Sequence, residues 1–133
     1  MTVLDTSAVL DHLLGSGASS EVEALLAQGG PAAAPDLVVF EVLAVLRRAV
    51  ARNELAERRA QSALADLGDM ALTLFPSMPL RTRAWELRRN LTAADAHFVA
   101  LAEALDEPLA TKDGGLATAA ERHAAVGVIT LGA

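Results

Sequence analysis

The opening run Met1-Thr2-Val3-Leu4-Asp5-Thr6-Ser7-Ala8 decides how the rest of the chain is read. Met1–Leu4 is short and apolar, too short for a buried helix, and it stops at an acid. Thr6-Ser7 are good helix starters, and Gly15-Ser16-Gly17 is a helix stop. The stretch therefore predicts a buried strand running straight into a helix over Ser7–Leu14.

The same alternation recurs downstream. Ser19-Ser20 with Glu23 predicts a capping box for a second helix, which ends at Gly29-Gly30-Pro31. Ala32–Ala34 is a very short strand, and Pro35-Asp36 opens a long helix through Val50. Helices are expected over Leu55–Leu67, Leu80–Arg89, Thr92–Leu105 and Leu116–Arg122, and strands over Ala71–Phe75, Leu109–Thr111 and Val126–Leu131. Short apolar strands alternating with helices give an α/β fold: a three-layer sandwich with a short-stranded, mostly parallel central sheet flanked by helices.

Composition narrows the chemistry. The 133 residues fit a single domain spanning 1–133. The chain has no cysteine, which excludes disulfides, thiolate metal sites and cysteine nucleophiles. Hydrophobic residues make up 53% and aromatics 3%, with mean hydropathy +0.34. The formal charge is −6, unlike a simple phosphate-gripping basic protein, so any polyanion partner needs bound cations to offset the acids. No run reaches the ~18 apolar residues of a membrane span, and no signal-like segment opens the chain; a cytoplasmic protein is expected.

Four acids stand out. Asp5 and Asp113 follow strands, at the carboxyl ends where ligands collect in such sheets, although each also suits a turn or cap. Glu41 interrupts Leu37-Val38-Val39-Phe40-Glu41-Val42-Leu43-Ala44-Val45-Leu46, a helix apolar nearly all round and therefore expected to be buried. A buried lone carboxylate costs several kcal/mol, so a salt bridge or a reaction site must meet it. Asp95, in Thr92-Ala93-Ala94-Asp95, fits a capping box, yet Phe98, Val99 and Ala102 turn its face toward the core. Four converging carboxylates repel one another unless a cation joins them, and oxygen-only donors favour Mg²⁺ or Mn²⁺ over zinc. Such an ion suits phosphodiester hydrolysis.

Leu4-Asp5-Thr6-Ser7-Ala8, Glu41 in its apolar helix, Leu91-Thr92-Ala93-Ala94-Asp95-Ala96 and Thr111-Lys112-Asp113 together resemble the PIN domain. Length and motif order are most similar to the VapC toxins of bacterial toxin–antitoxin pairs. Each motif alone is weak; their order and spacing are specific and cover essentially the whole chain. The resemblance implies a metal-dependent endoribonuclease, homodimeric and held inactive by a cognate VapB-type antitoxin. It assigns Asp5, Glu41, Asp95 and Asp113 to the catalytic, metal-binding acids, and Thr6 or Ser7 and Thr111 to the hydroxyls that support them. Lys112 lies at a position that varies in the family, and its role stays open.

Other residues carry weaker signals. Arg88 and Arg89 suit either an RNA phosphate contact at the rim of the site or a solvated helix end. Arg47, Arg48 and Arg52 read as a solvated helix end, and Asp11 as a solvated helix residue. His12, His97 and His123 read as surface histidines, and Trp85 as core or interface. The apolar helices leave surface for a second copy or an antitoxin helix, and the sequence does not choose between them. The alternative function is a receiver-like, Mg²⁺-binding phosphorelay module. It lacks the expected paired acids after the first strand, because Thr6 and Ser7 follow Asp5.

Overall fold

The structure, a computed structural model, describes residues 1–132; Ala133, the last residue of the expected domain, lies outside them. In chain order the elements are β1 (Val3–Leu4), α1 (Thr6–Leu14), α2 (Ser19–Gly29), β2 (Ala32–Pro35), α3 (Val38–Ala51) and α4 (Glu57–Asp69). There follow β3 (Leu72–Phe75), a 3₁₀ turn (Met78–Leu80), α5 (Arg81–Glu86), α6 (Ala93–Leu105), β4 (Leu109–Thr111), α7 (Gly114–His123) and β5 (Val128–Thr130).

The five strands form one parallel sheet in the order β3-β2-β1-β4-β5, flanked by the helices. Val3 is paired with Ala33 on one side and Leu109 on the other, and Leu4 with Ala110. The inner strands are buried along their whole length, which is why they read as plain apolar runs, whereas β3 and β5 at the edges are only partly covered. Chain order steps one way from β1 to β2 and β3, then returns to the other side of β1 for β4 and β5. The carboxyl ends of β1 and β4 therefore flank the point where the strand order reverses, the place where open α/β sheets bind ligands.

Small residues shape the core. Ala33, Ala34, Ala96, Ala102 and Ala110 are fully buried, and α6 packs across β1, β2 and β4 with Phe98 and Val99 also buried. With no Cβ-branched bulk at these alanines, α6 can lie close over the middle of the sheet.

Several elements differ from expectation. The helix expected over Leu80–Arg89 is a 3₁₀ turn followed by the single short α5, with Arg88 and Arg89 in the turn beyond it. α2 begins after Ala18 with no side-chain cap, so the Ser19/Ser20–Glu23 capping box does not form. The α1–α2 connection is instead tied down from elsewhere: the Ala18 N–H donates to Asp11 Oδ2 at 2.9 Å. α3 is not buried all round. Val38, Val42 and Leu46 face the core, but Val39, Phe40, Leu43 and Val45 are exposed, Phe40 at 73%. Among the described residues no helix is long and apolar enough to cross a membrane.

Candidate active site

Asp5 is the first residue beyond β1 and the N-cap of α1, with extended backbone (φ −76°, ψ 173°). One carboxylate oxygen accepts from the Ala8 N–H at 2.9 Å and the Ser7 hydroxyl at 2.7 Å. The other accepts from the Thr111 hydroxyl at 2.5 Å, across the sheet from the end of β4. Asp5 is 5% exposed and Thr111 not exposed at all. These charge-assisted hydrogen bonds keep the buried carboxylate satisfied and fix its orientation.

Thr111 is a relay. Its hydroxyl also accepts from the Asp113 N–H at 3.0 Å. Asp113 is the N-cap of α7, its Oδ1 accepting from Gly115 and Leu116 at 2.9 and 3.1 Å. The cap leaves this exposed acid beside the end of β4.

Glu41 lies in the first turn of α3, half-buried, and its carboxylate accepts from the Thr6 hydroxyl at the start of α1. The expected burial of this acid is corrected accordingly. It sits at the border between the core face of α3 and its exposed face, with a hydroxyl rather than an arginine as its partner among the described residues.

Asp95 stands in the first turn of α6, half-buried. The cap there is Thr92, whose side chain accepts from the Asp95 N–H at 3.1 Å; Asp95 supplies the backbone donor. Burial pushes the Asp95 carboxyl above the usual aspartate range, against a hydrogen bond with the Thr92 side chain that lowers it. The negative charges of Asp113, Glu41 and Asp5 push it further in the same direction. Four acids from α1, α3, α6 and α7 thus share one electrostatic field at the carboxyl ends of β1 and β4. Among the described residues no three potential metal ligands are drawn around a common point. Asp5 and Glu41 are turned to hydroxyl donors, and their remaining lone pairs are the oxygen donors a hard divalent cation takes.

Three residues set aside from the sequence behave differently in the structure. Asp11 is 7% exposed, not solvated, and both its oxygens accept from Lys112 Nζ at 2.9 and 2.8 Å. Lys112, between Thr111 and Asp113, is thereby anchored to α1. No local signal announces a partner so far along the chain. Trp85 is 66% exposed rather than core, with the Arg88 guanidinium 4.3 Å from its ring centroid. His12 is more than a surface histidine, since its Nδ1 is buried and has no hydrogen-bond partner among the described residues. His97 is half-buried with Nδ1 against the Ala93 carbonyl at 2.6 Å, and His123 is exposed.

Known proteins are similar to this chain in sequence and in fold. The PIN domain model matches residues 2–122. Ribonuclease VapC1 of Mycobacterium tuberculosis is 44% identical over 118 residues, 88% of this chain and 89% of the relative. The VapC ribonuclease Mb0985 of Mycobacterium bovis is 36% identical over 97% of this chain and 98% of its own length. The crystal structure of VapBC2 from Rickettsia felis bound to a promoter DNA fragment superposes with a TM-score of 0.71 at 16% identity, covering 98% of both chains. That of Mycobacterium tuberculosis VapC20, a sarcin-ricin loop cleaving toxin, superposes at 0.66 with 20% identity over 90% of this chain and 95% of that one. A parallel sheet that reverses its order between β1 and β4, acids gathered at that reversal, and relatives of nearly equal length all meet in one assignment: the chain belongs to the PIN-domain family and, within it, to the VapC group.

Proposed function

We propose that residues 1–133 act as one catalytic domain, a metal-dependent endoribonuclease that serves in the cytoplasm as the toxin of a toxin–antitoxin pair. The observation that carries this reading is the shared field of the acids: beyond the larger effect of burial, Asp113, Glu41 and Asp5 all push the Asp95 carboxyl upward. Such a cluster favours a divalent cation over four bare charges, and its oxygen-only donors suit Mg²⁺ or Mn²⁺. Asp5, Glu41, Asp95 and Asp113 would hold the ion. Bound there, it would ionise the attacking water and offset charge on the scissile phosphate.

The rest falls to the chain's own residues. Ser7 and Thr111 hold the Asp5 carboxylate, and Thr6 holds that of Glu41, so neither acid has to be reoriented during turnover. Arg88 and Arg89, exposed beyond α5, would grip backbone phosphate and supply the positive charge the acidic chain otherwise lacks. The exposed apolar side chains of α3 and α4, Val39, Phe40, Leu43 and Leu64, offer surface for a second chain. The VapBC and FitAB complexes among the structural neighbours support a cognate VapB-type antitoxin as one such partner, with a second copy as another. The receiver-like alternative is not favoured, because the matching family model is the PIN domain and the named relatives are ribonucleases.

The test is RNA cleavage by the purified chain with Mg²⁺ or Mn²⁺. Cleavage should vanish in EDTA and in Asp5→Asn. Undiminished cleavage in EDTA would remove the metal mechanism.

A further inference from the structure

Between α5 and the start of α6 lies a hollow of about 410 Å³, within the range of small-molecule sites. Trp85 forms part of its wall, with the Arg88 guanidinium over the ring. Arg81 and His97 also line it, and Thr92 and Ala93 close it on the side of α6. Asp95 follows Ala93 in the same first turn of that helix, so the hollow and the acid cluster share an element.

We infer that this hollow is a subsite for one unpaired nucleobase of the RNA substrate and its adjoining phosphate, the base lying on Trp85. The inference rests on the ribonuclease reading above and adds where a flanking nucleotide is held.

Charge chooses the occupant. The chain is formally −6, yet among the described residues no carboxylate lines this hollow, while two arginines and a histidine do. Each arginine is pinned by a single donor: Arg81 Nη1 to the Met78 carbonyl at 2.9 Å, and Arg88 Nη1 to the Trp85 carbonyl at 3.0 Å. A guanidinium carries five donors, so most of each fork remains to meet phosphate or the acceptor edge of a base. The His97 ring is held by the Ala93 carbonyl. A carbonyl only accepts, so Nδ1 carries the proton and Nε2 of the neutral ring is an acceptor. An exposed indole, guanidinium donors and one acceptor make up the equipment that binds single-stranded nucleic acid by stacking and backbone contact.

A second copy of the chain fits less well. An isologous contact sets the same patch against itself, and here arginines would meet arginines with no acid from the hollow to receive them.

Trp85 is the only tryptophan, so its fluorescence reports the subsite directly. The full chain is titrated in EDTA with a mixed-sequence single-stranded RNA decamer and with an abasic decamer of the same length. The RNA should quench the emission and the abasic backbone should not. Trp85→Ala, at an exposed position, should weaken binding of the RNA about five- to a hundredfold by filter retention, with Trp85→Phe recovering most of it. With Mn²⁺ present the loss should appear in KM and leave kcat in place. Equal affinity of wild type and Trp85→Ala with no quenching overturns the proposal. So does a shift of Trp85→Ala from dimer to monomer in sedimentation with RNA affinity unchanged, which would assign the hollow to a contact between copies. Wild type that is quenched yet cleaves no RNA would sink the nuclease reading alone; cleavage by Trp85→Ala with an unchanged KM would sink the subsite alone.

Discussion

Asp11 and Lys112, 101 residues apart in sequence, meet through both carboxylate oxygens, at 2.8 and 2.9 Å from one ammonium. The acid is buried and the lysine side chain is 42% exposed, so the pair sits at the surface of the core rather than within it. It joins the middle of α1 to the segment between Thr111 and Asp113.

Lys112→Met should therefore destabilise the protein by about 1–3 kcal/mol, less than a fully buried pair because water reaches the lysine. Asp11→Asn should cost less than Lys112→Met, since the ammonium it leaves unpaired is 42% exposed, whereas Lys112→Met strands a buried carboxylate. Gly17→Ala should also be harmful: φ there is +50°, and a Cβ would come within 2.3 Å of Asp11 Oδ2. Denaturant unfolding checks all three, and a Lys112→Met midpoint equal to wild type would show that the pair holds nothing.

Thr111→Val keeps the shape and removes the hydroxyl. Asp5 would lose one donor and the Asp113 N–H its acceptor, for a loss of about 1–3 kcal/mol and a marked fall in RNA cleavage. Thr111→Ser should restore cleavage, because it keeps the hydroxyl. Cleavage by the valine variant at the wild-type rate would mean that Asp5 needs no help from β4.

Asp95→Asn leaves the backbone donor to Thr92 intact and removes a charge that its neighbours oppose. In EDTA the variant should melt at or above the wild-type temperature, even after losing an acid favoured in a first helical turn. Wild type should gain about 2.7 kcal/mol at a hundredfold excess of Mg²⁺ over its dissociation constant, and the variant little. Each kcal/mol corresponds to about 3–4 °C of Tm for a chain of this size. An equal Mg²⁺ increment in both proteins would remove Asp95 from the metal site.

Arg83 ties α5 to α6 through Glu103, at 2.7 and 3.1 Å, and this hydrogen bonding holds the Glu103 carboxyl below the ordinary glutamate value of 4.5. A depressed carboxylate stabilises the fold above its unfolded-state value and loses that contribution as pH falls through its folded one. Both side chains are partly exposed, so the pair is worth only about 0–1 kcal/mol. Glu103→Gln should lower Tm slightly at neutral pH, and the gap should close in acid below the usual glutamate range. A gap independent of pH would refute the linkage.

What the sequence discloses follows from how local each cause is. β1, β2 and β4 are readable because burial on both faces forces unbroken apolar runs, and α1 because Asp5 caps it and Gly15 ends it in the left-handed region. The candidate acids stand out because each is an anomaly in its own segment. The reading fails where a partner is distant or a face is unpaired. Asp11 looks solvated until Lys112 arrives from the far end of the chain. The helix around Glu41 looks buried because its outer residues are apolar, though no element within the described chain covers Phe40. Trp85 reads as core or interface for the same reason: hydrophobicity alone does not tell a residue packed within its own fold from one awaiting another molecule.

The central place of β1 has a consequence for the order in which the protein is made. Translation delivers Asp5 106 residues before its Thr111 partner, an interval of about 5–20 s at ordinary rates of synthesis. From the addition of Glu41 onward the emerging polypeptide carries both acids but still lacks the strand on the far side of β1, whose Ala110 carbonyl receives the Asp5 N–H. Any chain released before residue 109 has acids without a seat for them. A nuclease of this topology gathers Asp5 and Asp113 at one sheet end only once β4 has been made.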